Sequence, residues 1–161
     1  MTPIEKSAYN ITSDEDELRV DELCRELLQD FHQELLRNGI PPLKAGAMAH
    51  SADYYLRDYL VSARRRNLFQ EEIGTVRAFA ATWYIISTLE PTIEELARHV
   101  DGVREFYRYL YSAGLLSGEY LAQIEQECDD ITWYGKRIES FWNISGDGYL
   151  AWERECPLKD G

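Results

Sequence analysis

The apolar residues of this chain recur at helical spacing along almost its whole length, and no long stretch alternates apolar and polar residues as a half-buried β-strand does. The longest stripe follows Ser13 and runs to Arg37, with apolar residues at Leu18, Leu23, Leu27, Leu28, Phe31, Leu35 and Leu36. Such spacing is typical of an amphipathic helix with one face in a core. It predicts an all-α protein.

Capping and turn residues divide this periodic sequence into about five helices. Ser13 predicts an N-cap, Thr92 with Glu95 predicts a capping box, and Ser117 is predicted to begin the last helix. Gly39 and Gly114 each stand just past a helix end, where a glycine readily takes a positive φ. The predicted helices cover residues 14–37, 43–65 and 70–89, then run from Thr92 to the “SAGLL” turn at 112–116 and from Ser117 to 142.

The connections between these helices are short, which predicts a single antiparallel helical bundle. The bundle domain covers residues 14–142 of the 161-residue chain, a length that suits one domain with a sizeable core. Residues 1–13 are predicted to be a flexible lead-in. Residues 143–161 are predicted to form a short turn-rich tail that packs on the bundle.

Two of the predicted helices carry packing signals. The second contains “KAGAMAHSA” at residues 44–52, whose small side chains allow another helix to approach closely. The third is predicted to direct one stripe into the core, consisting of Ile73, Val76, Phe79, Ala80, Trp83 and Ile86.

The segment “REFYRYLYSAGLL” at residues 104–116 concentrates aromatic residues in the fourth helix. Helical spacing directs Tyr107 and Leu110 into the core and leaves Phe106 and Tyr109 at its edge. The alternative is a surface that stacks nucleic-acid bases. We favour the core interpretation, because aromatic stripes at this spacing are usually core.

Charge and cysteine content restrict the classes of function. The chain has 17 basic and 29 acidic residues and a net charge of −12, so nucleic-acid binding would require a locally basic face. Its three cysteines, Cys24, Cys128 and Cys156, form no CxxC pair and favour a reducing compartment. No apolar run approaches about 18 residues. We therefore expect a cytoplasmic protein without a membrane-spanning segment.

One region departs from the acidic average. Lys44, Arg57, Arg64, Arg65 and Arg66 against Asp53 and Asp58 give residues 42–66 a net charge of +3. Two interpretations stay open for these five residues. They either bind the phosphates of DNA or another partner, or the three consecutive arginines stabilise a helix C-terminus, where cations are favoured.

Four segments carry a family resemblance: “NGIPPLKAGAMAHSADYYLRDYL” at 38–60, “FAATWYI” at 79–85, “VREFYRYLYSAGLL” at 103–116 and “WYGKRI” at 133–138. Their order resembles that in the helical, SAM-like core-binding domain of tyrosine recombinases and phage integrases, over residues 19–142. The resemblance implies DNA contact by the helix that carries Lys44. The family's catalytic set of an arginine, a His-x-x-Arg motif and a tyrosine nucleophile cannot be assembled here, because Arg98-His99 is followed by “VDG”.

The sequence predicts no catalytic, cofactor-binding or metal-binding residues. His32, His50 and His99 fall on three different predicted helices, and the pair Glu95 and His99 is too common a pattern to indicate a metal site. The favoured hypothesis is a non-enzymatic module that binds an unknown protein or itself. The alternative is a DNA-binding accessory protein that uses the basic region of residues 44–66.

Overall fold

The computed structural model describes residues 3–144 and 148–158. It is all-helical, with 76% of residues in helix, and no strand occurs in those residues. The predicted all-α class is confirmed. The described residues form a short 3₁₀ helix at Lys6–Tyr9, within the predicted lead-in, and seven longer helices: α1 (Asp14–Arg37), α2 (Pro42–Asp53, continued by the π-helical Tyr54–Ala63), α3 (Thr75–Ala78, the π-helical Phe79–Trp83, and Tyr84–Ser87), α4 (Ile93–Ser112), α5 (Gly118–Cys128), α6 (Ile131–Trp142) and α7 (Gly148–Leu158).

The count of about five helices is not confirmed, for two reasons. The predicted fifth helix is interrupted at Asp129 and Asp130, and the chain continues as α6. The Tyr134 hydroxyl donates to the Glu127 carbonyl at 2.5 Å, so a side chain of α6 satisfies an end carbonyl of α5.

The second reason lies in the predicted tail. Its residues 148–158 are helical rather than turn-rich, and Trp152 is buried against α6. Burial of a large indole stabilises this short helix, which sequence propensity alone does not predict. The tail's residues 145–147 and 159–161, and residues 1 and 2 of the lead-in, lie outside the described residues.

The helix ends follow the sequence closely. Hydroxyl oxygens of Ser13, Thr92 and Ser117 accept hydrogen bonds from backbone N–H groups three residues further on, at 3.1, 3.2 and 3.1 Å. Gly39 and Gly114 have φ values of +85° and +75°. In both places the following N–H bonds back five residues, to Leu35 and Leu110, which is the Schellman arrangement. The four predicted caps are confirmed, and Ser117, predicted to begin a helix, also caps it.

The small residues of α2 allow α4 to approach closely. Ala45, Ser51 and Ala52 are buried, and an added Cβ at Gly102 of α4 would lie 2.7 Å from both the Met48 carbonyl oxygen and the Ser51 Cβ. Glycine is therefore required at this crossing.

The π-helical stretches shift the faces of α2 and α3. Each π turn uses i→i+5 hydrogen bonds and rotates the residues beyond it relative to an α-helix. Tyr84 and Ile85 are consequently buried, whereas Ile86, predicted to face the core, is 41% exposed. Ile73, also predicted as core, precedes α3 and is 71% exposed.

Candidate interaction groove

The predicted basic residues do not form a free basic surface, because four of the five lie beside carboxylates. The Arg57 guanidinium donates to both carboxylate oxygens of Asp21 on α1, at 2.9 and 3.0 Å, and to Asp53 at 3.3 Å. The Asp21 hydrogen bonds raise the pKa of Arg57 further above its ordinary value. Since Asp21 is 36 positions away in the sequence, spacing did not reveal this pair.

The three consecutive arginines are also engaged. Arg64 donates to Glu72 at 2.9 Å, and Arg66 lies 3.7 Å from the same carboxylate. Arg65 takes the left-handed backbone conformation, with φ of 51°, and forms ion pairs with Asp14 and Glu17 of α1.

Arg64 additionally donates to the Tyr59 hydroxyl at 3.2 Å and lies over its ring. Only Lys44 among the five predicted residues is an exposed cation with no ion pair within the described part of the chain. These ion pairs count against a free phosphate-binding face formed by the arginines.

A groove open to solvent runs between α1 and α4 and continues along the N-terminal segment. The part between the helices has a volume of about 300 Å³, and the part beside the segment about 780 Å³. The first part is lined by Phe31, Glu34, Leu35, Asn38, Glu105, Arg108, Tyr109, Ser112 and Ala113. The second part is lined by Pro3, Ile4, Glu5, Ala8, Tyr9, Leu23, Glu26, Leu27, Asp30, Glu34, Arg37, Tyr109, Ala113 and Leu115.

The floor of this groove is apolar. Tyr109 belongs to both parts, and its ring lies 5.5 Å from that of Phe31, which is fully buried. Leu23 and Leu115 are half-buried and present apolar surface to the opening. Apolar side chains partly exposed along a concave surface are typical of binding sites for peptides and small molecules.

The rim of the groove is acidic. Glu5, Glu26, Asp30, Glu34 and Glu105 stand against Arg37 and Arg108, so five carboxylates face two guanidinium groups. Arg37 pairs with Glu34 at 2.6 Å, and Arg108 pairs with Glu105 at 2.8 Å. Glu26 and Asp30 have no ion-pair partner among the described residues and are exposed.

Burial, and after it the nearby carboxylates, raise the pKa of two tyrosine hydroxyls in the groove. Burial, followed by Cys24, Glu26 and Asp30, raises the pKa of Tyr9 to about 12. Burial, followed by Asp30 and Glu34, also raises the pKa of Tyr109. The groove therefore disfavours additional negative charge.

The two residues considered as metal ligands have other partners. Nδ1 of His99 lies 3.0 Å from the Ser51 hydroxyl, and Glu95 accepts a 2.6 Å hydrogen bond from Tyr84. No cluster of three or more His, Cys, Asp or Glu side chains in the described part of the chain is arranged to hold a metal ion. Burial, opposed by Glu95 and reinforced by His50 and Arg98, lowers the pKa of His99.

Two buried charged residues were missed by the sequence analysis. The Glu127 carboxylate of α5 accepts the backbone N–H groups of Gly74 and Arg77, each at 2.9 Å, and so caps the N-terminus of α3.

The other is Arg137 of α6, which is 2% exposed. Its guanidinium donates to the Ala81 carbonyl at 3.0 Å and to the Trp152 carbonyl, and lies over the Trp152 ring at 3.8 Å. Both charged residues join helices, which is a structural role.

Two of the three cysteines, Cys24 and Cys128, are buried. Burial raises the pKa of the Cys24 and Cys128 thiols to about 12, which opposes thiolate chemistry, whereas the side chain of Cys156 lies outside the description.

Within residues 3–144 and 148–158, no helix is both long and apolar enough to cross a lipid bilayer.

Most of the predicted site residues are thus paired with carboxylates, whereas the α1–α4 groove brings together members of the predicted core stripe of α1, such as Phe31 and Leu35, and residues for which the sequence predicted no role. The acidic residues of α1 are visible in the sequence, but sequence spacing does not show which helix packs beside them. Comparison with known proteins finds no family model, no curated protein and no solved structure that matches this chain.

Proposed function

We propose that this chain is a non-enzymatic protein-interaction module whose docking surface is the groove between α1 and α4. The observation that carries the proposal is the groove itself, a concave surface with an apolar floor around Tyr109 and Leu23. Peptide segments commonly bind in such grooves, where apolar anchors enter the floor and polar groups meet the rim.

The geometry favours a protein segment over a compact metabolite. The two parts of the groove share Glu34, Tyr109 and Ala113. The groove is therefore continuous from the α1–α4 crossing to the N-terminal segment around Ile4 and Ala8. An elongated surface of this type suits a chain segment that places successive side chains along it.

A site-specific photocrosslinker tests the docking surface. A benzophenone amino acid at Ser112, which lines the groove, is compared in the native cell with the same amino acid at Ser140 of α6, which is also exposed. We expect a protein adduct at position 112 whose yield falls when Leu23 is replaced by serine. Equal adducts at both positions, or none at position 112, would contradict the proposal.

The DNA-binding hypothesis is the second candidate and has weaker support. A phosphate would have to compete with Asp21, Glu72, Asp14 and Glu17 for Arg57, Arg64 and Arg65. Binding of duplex DNA at low salt that falls steeply as salt rises, and is lost in Lys44→Ala, would favour it over the groove.

For the arrangement of the helices, we propose a single antiparallel bundle related to the recombinase core-binding domain. Contacts within two helix pairs support the antiparallel arrangement. Arg57 of α2 meets Asp21 of α1, and Arg65, two residues past the end of α2, meets the earlier Glu17 of α1. Arg104 and Arg108 of α4 meet Asp129 and Glu125, in the same antiparallel sense. An experimental structure that shows recombinase-type topology would establish the relationship.

A further inference from the structure

We propose that the occupant of the groove is a cationic amphipathic segment of a partner protein, with lysine or arginine flanking apolar anchor residues. This inference rests on the proposed function, and adds the chemical class of the partner. Three features of the groove carry it, namely an acidic row on α1, the helix ends that meet at the groove and the charge of the chain itself.

The first feature is a row of carboxylates along α1. Glu26, Asp30 and Glu34 stand four residues apart and all line the groove. Like charges at this spacing repel one another on a helix surface. Arg37 neutralises Glu34 at 2.6 Å, but Glu26 and Asp30 have no such partner in the described residues. A cation from outside relieves a repulsion that the chain leaves in place.

The second feature is the position of two helix ends. Leu35 and Asn38 at the end of α1, and Ser112 and Ala113 at the end of α4, all line the part between the helices. The C-terminus of a helix carries a partial negative charge from its aligned peptide dipoles. Two such ends at one groove add to the attraction for a cationic segment.

The third feature excludes a second copy of the chain as the favoured occupant. Each copy carries a net charge of −12, so two copies repel one another. The densest run of cations, Arg64 to Arg66, is already paired with Glu72, Asp14 and Glu17. A different protein with an unpaired cationic segment is attracted to the acidic rim and does not carry the net charge of a second copy.

Three fluorescent helix-forming peptides of about 14 residues test the inference, each with the same leucine positions and with lysine, glutamine or glutamate between them. Binding to the full chain is measured by anisotropy. We expect the lysine peptide to bind at one site per chain and the glutamate peptide not to bind. Binding of the glutamine peptide should be at least about tenfold weaker than that of the lysine peptide.

Matched charge reversals locate the site. The pair Glu26→Lys and Asp30→Lys is compared with Asp101→Lys and Glu139→Lys, which change the net charge equally at exposed positions outside the groove. We expect the groove pair to weaken the lysine peptide by at least about tenfold and the control pair to have an effect several times smaller. The neutral pair Glu26→Gln and Asp30→Gln should weaken it in the same direction, which keeps the test valid if the reversals disturb folding.

The outcomes separate this inference from the proposed function. Equal weakening by the two reversal pairs would mean general charge attraction and overturn the inference. Equal binding of the glutamine and lysine peptides would leave a docking groove and overturn its cationic preference. If no peptide binds, the inference fails, while photocrosslinking at position 112 still decides the proposed function; an adduct with a second copy there would overturn the inference as well.

Discussion

The hydroxyl oxygens of Tyr55 and Tyr107 lie 2.7 Å apart, and both side chains are completely buried. The contact joins α2 to α4, and the Tyr55 hydroxyl also lies 3.4 Å from Oγ1 of Thr75 on α3. Burial raises the pKa of both phenols well above the ordinary value, so both stay protonated and able to donate. Tyr107 of the aromatic segment therefore belongs to the core.

The first prediction concerns Tyr107. Tyr107→Ala should lower the free energy of unfolding by about 2–5 kcal/mol, because a large buried side chain is removed. Tyr107→Phe keeps the ring and should cost about 1 kcal/mol, through loss of the hydroxyl contact. The control is Tyr111→Ala, at a position that is 46% exposed and should change stability by less than about 0.5 kcal/mol.

Urea unfolding of the three variants provides the measurement. If Tyr107→Ala unfolds at the same urea concentration as the parent but loses binding to single-stranded nucleic acid, the base-stacking alternative is correct and the core assignment is wrong.

The second prediction compares two glycines. A Cβ at Gly102 would lie 2.7 Å from backbone and side-chain atoms of α2, whereas a Cβ at Gly46 meets no atom within 4 Å. Gly102→Ala should therefore destabilise the protein by about 1–3 kcal/mol through overpacking. Gly46→Ala should stabilise it by about 0.5–1 kcal/mol, because alanine has the higher helix propensity.

Thermal melts of the two glycine variants should consequently shift in opposite directions. A Gly102→Ala protein that melts at or above the parent temperature would show that α2 and α4 do not approach as described.

The third prediction tests the buried cap of α3. Glu127→Ala leaves the N–H groups of Gly74 and Arg77 without their carboxylate acceptor and should cost about 2–4 kcal/mol. Glu125→Ala, two residues earlier on the same helix, removes ion pairs of Arg104 and Arg108 at the surface. It should cost no more than about 1 kcal/mol. Equal losses in urea unfolding would contradict a capping role for Glu127.

The fourth prediction concerns pH. The pKa of His99 is lowered in the folded protein from its ordinary value of 6.5, so folding favours the neutral ring. The stability from this preference is fully present above pH 6.5 and is lost as the pH falls from there through the folded pKa. The neutral ring also accepts the Ser51 hydroxyl at Nδ1 when its proton is on Nε2.

His99→Gln removes this titration. We expect the parent to lose more unfolding free energy than the variant between about pH 7 and about pH 5. The variant retains Glu95, Arg98 and His50, the charged and titratable groups that influence this ring, so the difference isolates His99. Parallel pH profiles would contradict the prediction.

The parts of the fold that the sequence predicted are those determined by local spacing. Ser13, Thr92 and Ser117 cap their helices through bonds to residues three positions away, and Gly39 and Gly114 lie in turns whose closing bonds span five positions. The helical class follows from the same local pattern. Ile86 was misassigned because a π turn intervenes, and no residue type marks such a turn.

The candidate groove was not predictable in the same way. The pairing of Arg57 with Asp21, and of Arg65 with Asp14, depends on how α1 and α2 pack, so charge counted along residues 42–66 gave a patch that the fold neutralises. Conversely, the row of Glu26, Asp30 and Glu34 is visible in the sequence, but its position beside Tyr109 of α4 is not.

The π-helical stretches of α2 and α3 have a consequence for aligning this sequence with distant homologues. Each π turn accommodates one residue more than an α-helical turn and so acts as an insertion within a helix. The two stretches face each other, since the rings of Tyr59 and Phe79 lie 5.4 Å apart. Deleting a residue from one stretch alone would turn one ring away from the other. In a distant homologue, single-residue gaps should therefore occur in both helices together, and an ungapped alignment would place the residues beyond them out of phase.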